Sequence, residues 1–281
     1  MDLAGLSDAA ALLWKSVGGL LNSPFVSASL SALAGAGLGV WGAQRVALRA
    51  SLRTELMASL RQLNALTILA TTISNQAMSL KNQHIDELVA RYLELRDKAL
   101  LFDARARSVG STIEIFEFSA DLVHVVPISA PIEAVKNFAY SGQLISGKAL
   151  ALVAVLDQSI AELSRSIALR SDLIEAMREG GAHSKLASKY FGLRADDGSM
   201  DQMFHDAVVS LKQYVDDVAF FAAELAEETQ ATASEIRIRA LKLDRSAPKI
   251  SSVDFSKARS SGLLPPRSAY EDWLSGFRKQ L

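Results

Sequence analysis

The chain has no cysteine, and it is poor in proline, glycine and aromatic residues, with 6 Pro, 16 Gly and 7% aromatics among 281 residues. The absence of cysteine excludes disulfides, thiolate catalysis and cysteine-based zinc or iron–sulfur sites. An all-β fold needs more valine, tyrosine and turn residues than this chain, rich in Ala, Leu and Ser, provides. The composition therefore predicts an all-α fold.

Neither sign of charge is in marked excess. The chain has 30 Lys and Arg against 31 Asp and Glu, for a formal net charge of -1. Domains that bind nucleic acids usually carry a clear basic excess, because they must neutralise phosphates. We therefore expect no nucleic acid among the partners.

Catalytic and cofactor motifs are also missing. No phosphate-binding loop, nucleophile elbow or HExxH motif occurs. None of the four histidines has a second histidine at a metal-ligand spacing; they are His84, His124, His183 and His205. A catalytic group assembled only in space has no motif of this kind. We expect a protein that is not an enzyme and that binds no cofactor or metal.

A long uncharged stretch lies near the N-terminus, where residues 16–44 contain no charge. Within it, 25–43 is apolar or small, and a helix of these nineteen residues covers about 28 Å, close to the hydrocarbon thickness of a bilayer. We predict a single transmembrane helix over 24–43, preceded by a leader over 1–23 that is either amphipathic or disordered. The alternative is a cleaved signal peptide, since Ala32-Leu33-Ala34 has the form of a processing site.

The charges that flank this stretch predict an orientation. Arg45, Arg49 and Arg53 follow it closely, whereas only Lys15 precedes it. By the positive-inside rule the N-terminus lies outside and the rest of the chain is cytoplasmic. The predicted location is the bacterial inner membrane, with membrane lipid as a partner.

Small residues recur at four-residue steps within the same stretch. On a helix, Ser31, Gly35, Gly39 and Ala43 form one smooth stripe, which permits close approach of a second helix. The stripe predicts a homo-oligomer or a membrane-protein partner.

The region 44–243 is expected to be a helical bundle. No Gly or Pro occurs between Gly42 and Gly110, and apolar residues recur at three- and four-residue steps. We predict helices over 44–107, 132–178 and 199–243, which pair antiparallel as a coiled-coil-like three-helix bundle. Residues 110–131 are β-prone and end in prolines, which predicts an extended connection at the distal tip, with or without a small hairpin.

A polar stretch interrupts the first of these helices. Its amides and imidazole either fix the register between helices, contact a partner or form an exposed face; the candidates are Asn75, Gln76, Gln83 and His84. On the third helix, Glu224, Glu227 and Glu228 are expected to face solvent.

The C-terminal region 244–281 is predicted to be a basic tail with a short helix near its end. Basic segments of this kind are often mobile interaction arms. The alternative, which two apolar clusters favour, is that the tail docks on the bundle; these clusters contain Leu263, Leu264, Trp273 and Phe277.

These features together predict a membrane-anchored helical scaffold or signal-relay protein that acts through protein–protein contacts. One alternative is a membrane effector whose spans assemble into a pore. Another is a soluble or secreted helical binding protein.

Overall fold

A computed structural model describes the chain over five ranges, which are 24–109, 116–142, 144–179, 183–195 and 198–277. The regular structure in these ranges is helical and they contain no β-strand, so the predicted all-α class is confirmed. In the first helix the side chains are described from residue 39 onward. The predicted leader over 1–23 lies outside the described residues.

One long rod opens the structure. It consists of α1 (Pro24–Leu80), a π-helical segment (Lys81–Ile85) and α2 (Asp86–Val109). At 1.5 Å per residue the rod is about 130 Å long. The other helices of the bundle are α3 (Ile132–Ser141), α4 (Gly147–Glu179), α5 (His183–Phe191) and α6 (Met203–Leu241). The C-terminal region adds α7 (Ser256–Ser260), a 3-10 turn (Arg267–Tyr270) and α8 (Glu271–Ser275).

Helix α6 lies at the centre of the fold. Every residue from Val218 to Ala226 is buried, so this part of the helix has no solvent face. A helix buried all round must be covered by several elements. Helix α1 covers one side and α4 another. The C-terminal region covers a third side, where the Tyr270 ring stacks on Phe220 with 3.8 Å between ring centroids.

Both long helices run antiparallel to α6. In the rod, the hydroxyl groups of Thr67 on α1 and Thr229 lie 2.9 Å apart, and Tyr92 on α2 packs edge-on against Phe204 at the other end of α6. At the start of α4 the Ser146 hydroxyl donates to Glu228 over 2.8 Å. Further along α4 the Arg170 guanidinium lies over the same Phe204 ring. Helices α1 and α4 are therefore parallel to each other.

The first two long helices of the bundle, predicted over 44–107 and 132–178, were expected to pair antiparallel, and this part of the prediction is therefore wrong. The physical reason is that residues 116–131 do not form a turn at the tip. At one end Phe116 packs against Phe102 and Phe191. The chain then returns in extended form and through α3 to the other end, where Ile145 packs beside Leu63. Because of this return, α4 begins at the end of the bundle where the buried part of α1 also begins.

The predicted membrane span is also wrong. Among the described residues, the structure contains no helix with a segment both long and apolar enough to cross a bilayer. Serine and glycine interrupt the apolar residues of 24–43 and lower its hydropathy. The location in the bacterial inner membrane, with the N-terminus outside and the bundle cytoplasmic, is overturned with the span. Helix α1 instead continues without a break from Pro24 into the bundle.

The residues chosen for the stripe and for orientation lie on this first part of α1. The side chain of Ser31 and the surroundings of Gly35 lie outside the part of the chain that is described. Gly39 and Ala43 are exposed, and a Cβ atom placed on Gly39 would contact nothing within 4 Å. Of the three arginines chosen for orientation, Arg45 and Arg49 are exposed. Arg53 forms an ion pair with Asp244.

The C-terminal region docks along the bundle. The Asn64 amide donates to the Lys249 carbonyl over 2.8 Å, and Lys81 donates to the carbonyls of Gly262 and Leu263 over 3.1 Å. Leu264 is buried by these contacts. The C-terminal region is thus a fourth packed element along α1 and α6.

This docking overturns the expectation that Glu224 faces solvent. The side chain is only 1% exposed, because the C-terminal region covers it. Its carboxylate accepts from Arg267 over 2.5 Å and lies 3.4 Å from Arg259. A buried carboxylate needs partners of this kind, since burial without them is costly.

The docked region also contacts a carboxyl group of α6 that has a shifted pKa, Asp217. The Tyr270 hydroxyl donates to Asp217 over 2.6 Å. Burial raises the pKa of Asp217 above its ordinary 3.8, and the Tyr270 hydrogen bond only partly opposes this shift. A raised carboxyl pKa contributes stability below pH 3.8 that is lost as the pH rises through the folded-state value.

We predict that Asp217→Asn removes this loss, because an asparagine carbonyl can accept the same hydrogen bond without a charge. The free energy of unfolding of the variant minus that of the wild type should be more positive at pH 7 than at pH 3. Urea denaturation at both pH values measures this difference, with the exposed Asp97→Asn as a control. A difference that shrinks as the pH rises would contradict the assignment.

Candidate functional site

A cleft of about 730 Å³ lies between the rod and the returning chain. One wall is a polar face that crosses from α1 through the π-helical segment into α2. The other wall is the extended segment 121–129. The volume falls in the usual range for binding sites in proteins.

The helical wall contains all four residues of the predicted polar set. Asn75, Gln76, Gln83 and His84 all line the cleft. Gln83 and His84 are exposed in it, and the Gln76 side-chain oxygen is buried without a hydrogen bond to the described chain. The structure thus places the set on one surface.

The π-helical segment positions this wall. Its wider turn leaves both Lys81 and Ile85 buried, while the residues between them stay exposed. Lys81 points away from the exposed residues and forms an ion pair with Asp216 at 2.7 Å. Single π-helical turns are rare and occur often at functional sites. Here the turn keeps Gln83 and His84 in the cleft and fixes Lys81 in the core.

The extended wall was missed as a site. Sequence reasoning placed it at a distal tip, although its residues line the cleft. Val123 and Val126 are 69% and 76% exposed, whereas Val125 is buried against the bundle. The one signal that pointed to it was the β-prone run from Leu122 to Val126 in a chain that is otherwise helical.

Two arginines of α4 hold this wall by its backbone. Arg170 is 1% exposed and donates to the carbonyls of Val123 and Asp121 over 2.6 and 3.0 Å. Burial lowers the pKa of the Arg170 guanidinium, because the cation is removed from water. Arg178 donates to the Leu122 carbonyl over 2.8 Å.

A hydrogen-bonded network lies at the rim of the cleft. His124 Nε2 is 2.8 Å from Glu175, and the same carboxylate oxygen accepts from Arg178 over 2.8 Å. No group of three or more His, Cys, Asp or Glu side chains within the described ranges is placed to hold a metal ion. The cleft presents amides, hydroxyl groups and exposed valines. Such groups bind a ligand through hydrogen bonds and apolar contact.

Comparison with family models, with curated proteins and with solved structures finds no match for this chain.

The contacts of Arg170 generate a local prediction. Arg170→Met removes both hydrogen bonds to the extended wall, and each bond is worth about 1 kcal/mol or more. We expect exchange of the hydrogen-bonded backbone amides of Asp121 and Val123 to become about tenfold faster. The global free energy of unfolding should change less, because the buried cation no longer has to be desolvated. Hydrogen exchange by mass spectrometry measures both.

The matched control is Arg165→Met, which removes an arginine that is 71% exposed on the same helix. Exchange of the same two amides should stay at the wild-type rate in this control. Equal acceleration in the two variants would contradict the role given to Arg170.

Proposed function

We propose that this protein is an interaction scaffold that binds partner proteins in the cleft between the rod and residues 121–129. The observation that carries the proposal is the composition of the cleft, which pairs a helix wall of three amides and two hydroxyls among ten residues with an extended segment that exposes two valines. Such a surface offers many hydrogen-bonding groups and little charge. The proposal includes neither a membrane anchor nor a pore, since both required the span.

Exposed amides and hydroxyls support binding in this cleft. Asn75, Ser79 and Gln83 are exposed on the helix wall and offer donors and acceptors to a bound segment. The Gln76 side-chain oxygen on the same wall is buried, so it is not one of the groups that a ligand in the cleft would meet.

Site-specific photocrosslinking in the native cells tests the proposal. With p-benzoylphenylalanine at Gln83 we expect discrete protein adducts, because this position lies in the cleft. At Ser164, an exposed position on α4, we expect none. Adding Val126→Asp on the opposite wall should reduce the Gln83 adducts at least about tenfold, since a charge on the exposed valine opposes binding. Equal adducts at both positions, or adducts insensitive to Val126→Asp, would contradict the proposal.

We propose a second contact surface on the first part of α1. Helix α6 ends at Leu241, and Ala240 packs in one cluster with Leu56. Residues of α1 before about 52 therefore extend beyond the end of α6; we call them the arm. The exposed apolar side chains of the arm are Val40, Trp41, Val46 and Leu48, which are 59–69% exposed.

An isolated helix of this length with several glycines is only marginally stable in water. Pairing with the arm of a second copy would bury its apolar side chains and stabilise it. We therefore propose that the scaffold is a homo-oligomer joined through the arm.

Light scattering coupled to size-exclusion chromatography tests this surface. The wild type is expected to elute as an oligomer at micromolar concentration, and Leu48→Asp is expected to shift it to the monomer mass. Ser51→Asp places the same charge at an exposed position without removing an apolar contact, so it should keep the oligomer. A monomeric wild type would contradict self-association.

A further inference from the structure

We propose that the occupant of the cleft is an extended peptide, which adds as a β-strand to residues 124–129. This inference rests on the proposed function and names the kind of partner segment that the cleft takes. Three properties of the extended wall support it: its free backbone, its side-chain pattern and the low charge around it.

The backbone of this wall is held at both ends and free in the middle. On one side, the carbonyls of Asp121, Leu122 and Val123 accept from arginines of α4. On the other side, the carbonyls of Ala130 and Pro131 accept from the first turn of α3.

Between these points, from residue 124 to residue 129, no backbone group hydrogen-bonds to any other described part of the chain. The returning chain is therefore an extended segment, outside any sheet, whose backbone groups are free to pair with another chain. Strands with unpaired edges are templates for pairing with another chain, and peptides bind to many proteins in this way.

The side chains of this wall fit such pairing. The run from Leu122 to Val126 is rich in valine, a residue type that favours β-strands because its branched side chain packs well across neighbouring strands. Val125 anchors the wall in the bundle, and Val126 is 76% exposed in the cleft. Pro127 supplies a carbonyl but no N–H, so an added strand would be bonded on either side of this residue.

The charges around the cleft favour an uncharged peptide. Among the lining residues, Arg91 with Glu87 and Asp121 gives a net charge of only -1 with His neutral, and five of the ten residues on the facing helix wall carry an amide or a hydroxyl. A peptide with valine or isoleucine on one face and Ser, Thr, Asn or Gln on the other would match both walls. A strongly acidic or basic peptide would find no complementary field.

The experiment starts from a displayed library of random 12-residue peptides selected on the full chain. Selected peptides are kept if Val126→Asp weakens their binding at least tenfold while Ser164→Asp does not. One such peptide is then synthesised with a single backbone N-methyl group at each position in turn. For strand addition we expect losses of about tenfold at alternate positions, because each methyl group removes one backbone hydrogen bond.

Hydrogen exchange of the unmethylated complex gives a second measurement. Strand addition predicts at least tenfold slower exchange of the amides of residues 124–129, whereas the exposed face of α4 should be unaffected. A cleft-dependent peptide that leaves these amides unprotected, or whose sensitive positions repeat every three or four residues, would overturn this inference while leaving the proposed function. Failure to recover any cleft-dependent peptide would contradict both.

Discussion

The burial of α6 on all sides is the constraint on which the rest of the structure depends. From Val218 to Ala226 the helix has no face for water, so three different elements must cover it. Two of them are the long helices α1 and α4. The third is the C-terminal region, which brings Arg259 and Arg267 to the buried Glu224. The C-terminal region therefore completes the core and is not an appendage to it.

The direction of the covering helices explains the cleft. Because α1 and α4 both run antiparallel to α6, they run parallel to each other, and the chain between them has to travel back along the bundle. Residues 116–131 make most of this return in extended form, without a sheet to join. Their backbone is held by arginines of α4 at one end and α3 at the other. An unpaired extended segment beside a polar helix face is the direct consequence, and that pair of walls is the proposed binding site.

The sequence predicted the helices well because heptad spacing is a local signal. The last long helix was expected over 199–243 and is observed as Met203–Leu241. The polar set around Gln76 and His84 was singled out from sequence because amides interrupt an apolar pattern, and its residues line one cleft; their role stays a prediction. The parallel arrangement of α1 and α4, the burial of Glu224 and the second wall of the cleft depend on contacts between residues far apart in the chain. No periodicity within a single segment encodes those contacts.

A distance between α1 and α4 tests the account most directly. The chain has no cysteine, so Arg61→Cys and Ala176→Cys can carry two spin labels without background. Thr67 and Ser146 contact neighbouring residues of α6, so they lie at the same level of the bundle. Along the helix axes, residue 61 lies about 9 Å before this level and residue 176 lies about 45 Å after it. Pulsed electron paramagnetic resonance should therefore give a separation of about 55 Å. A separation of about 20 Å or less, as in an antiparallel hairpin of the two helices, would contradict the fold and the origin of the cleft.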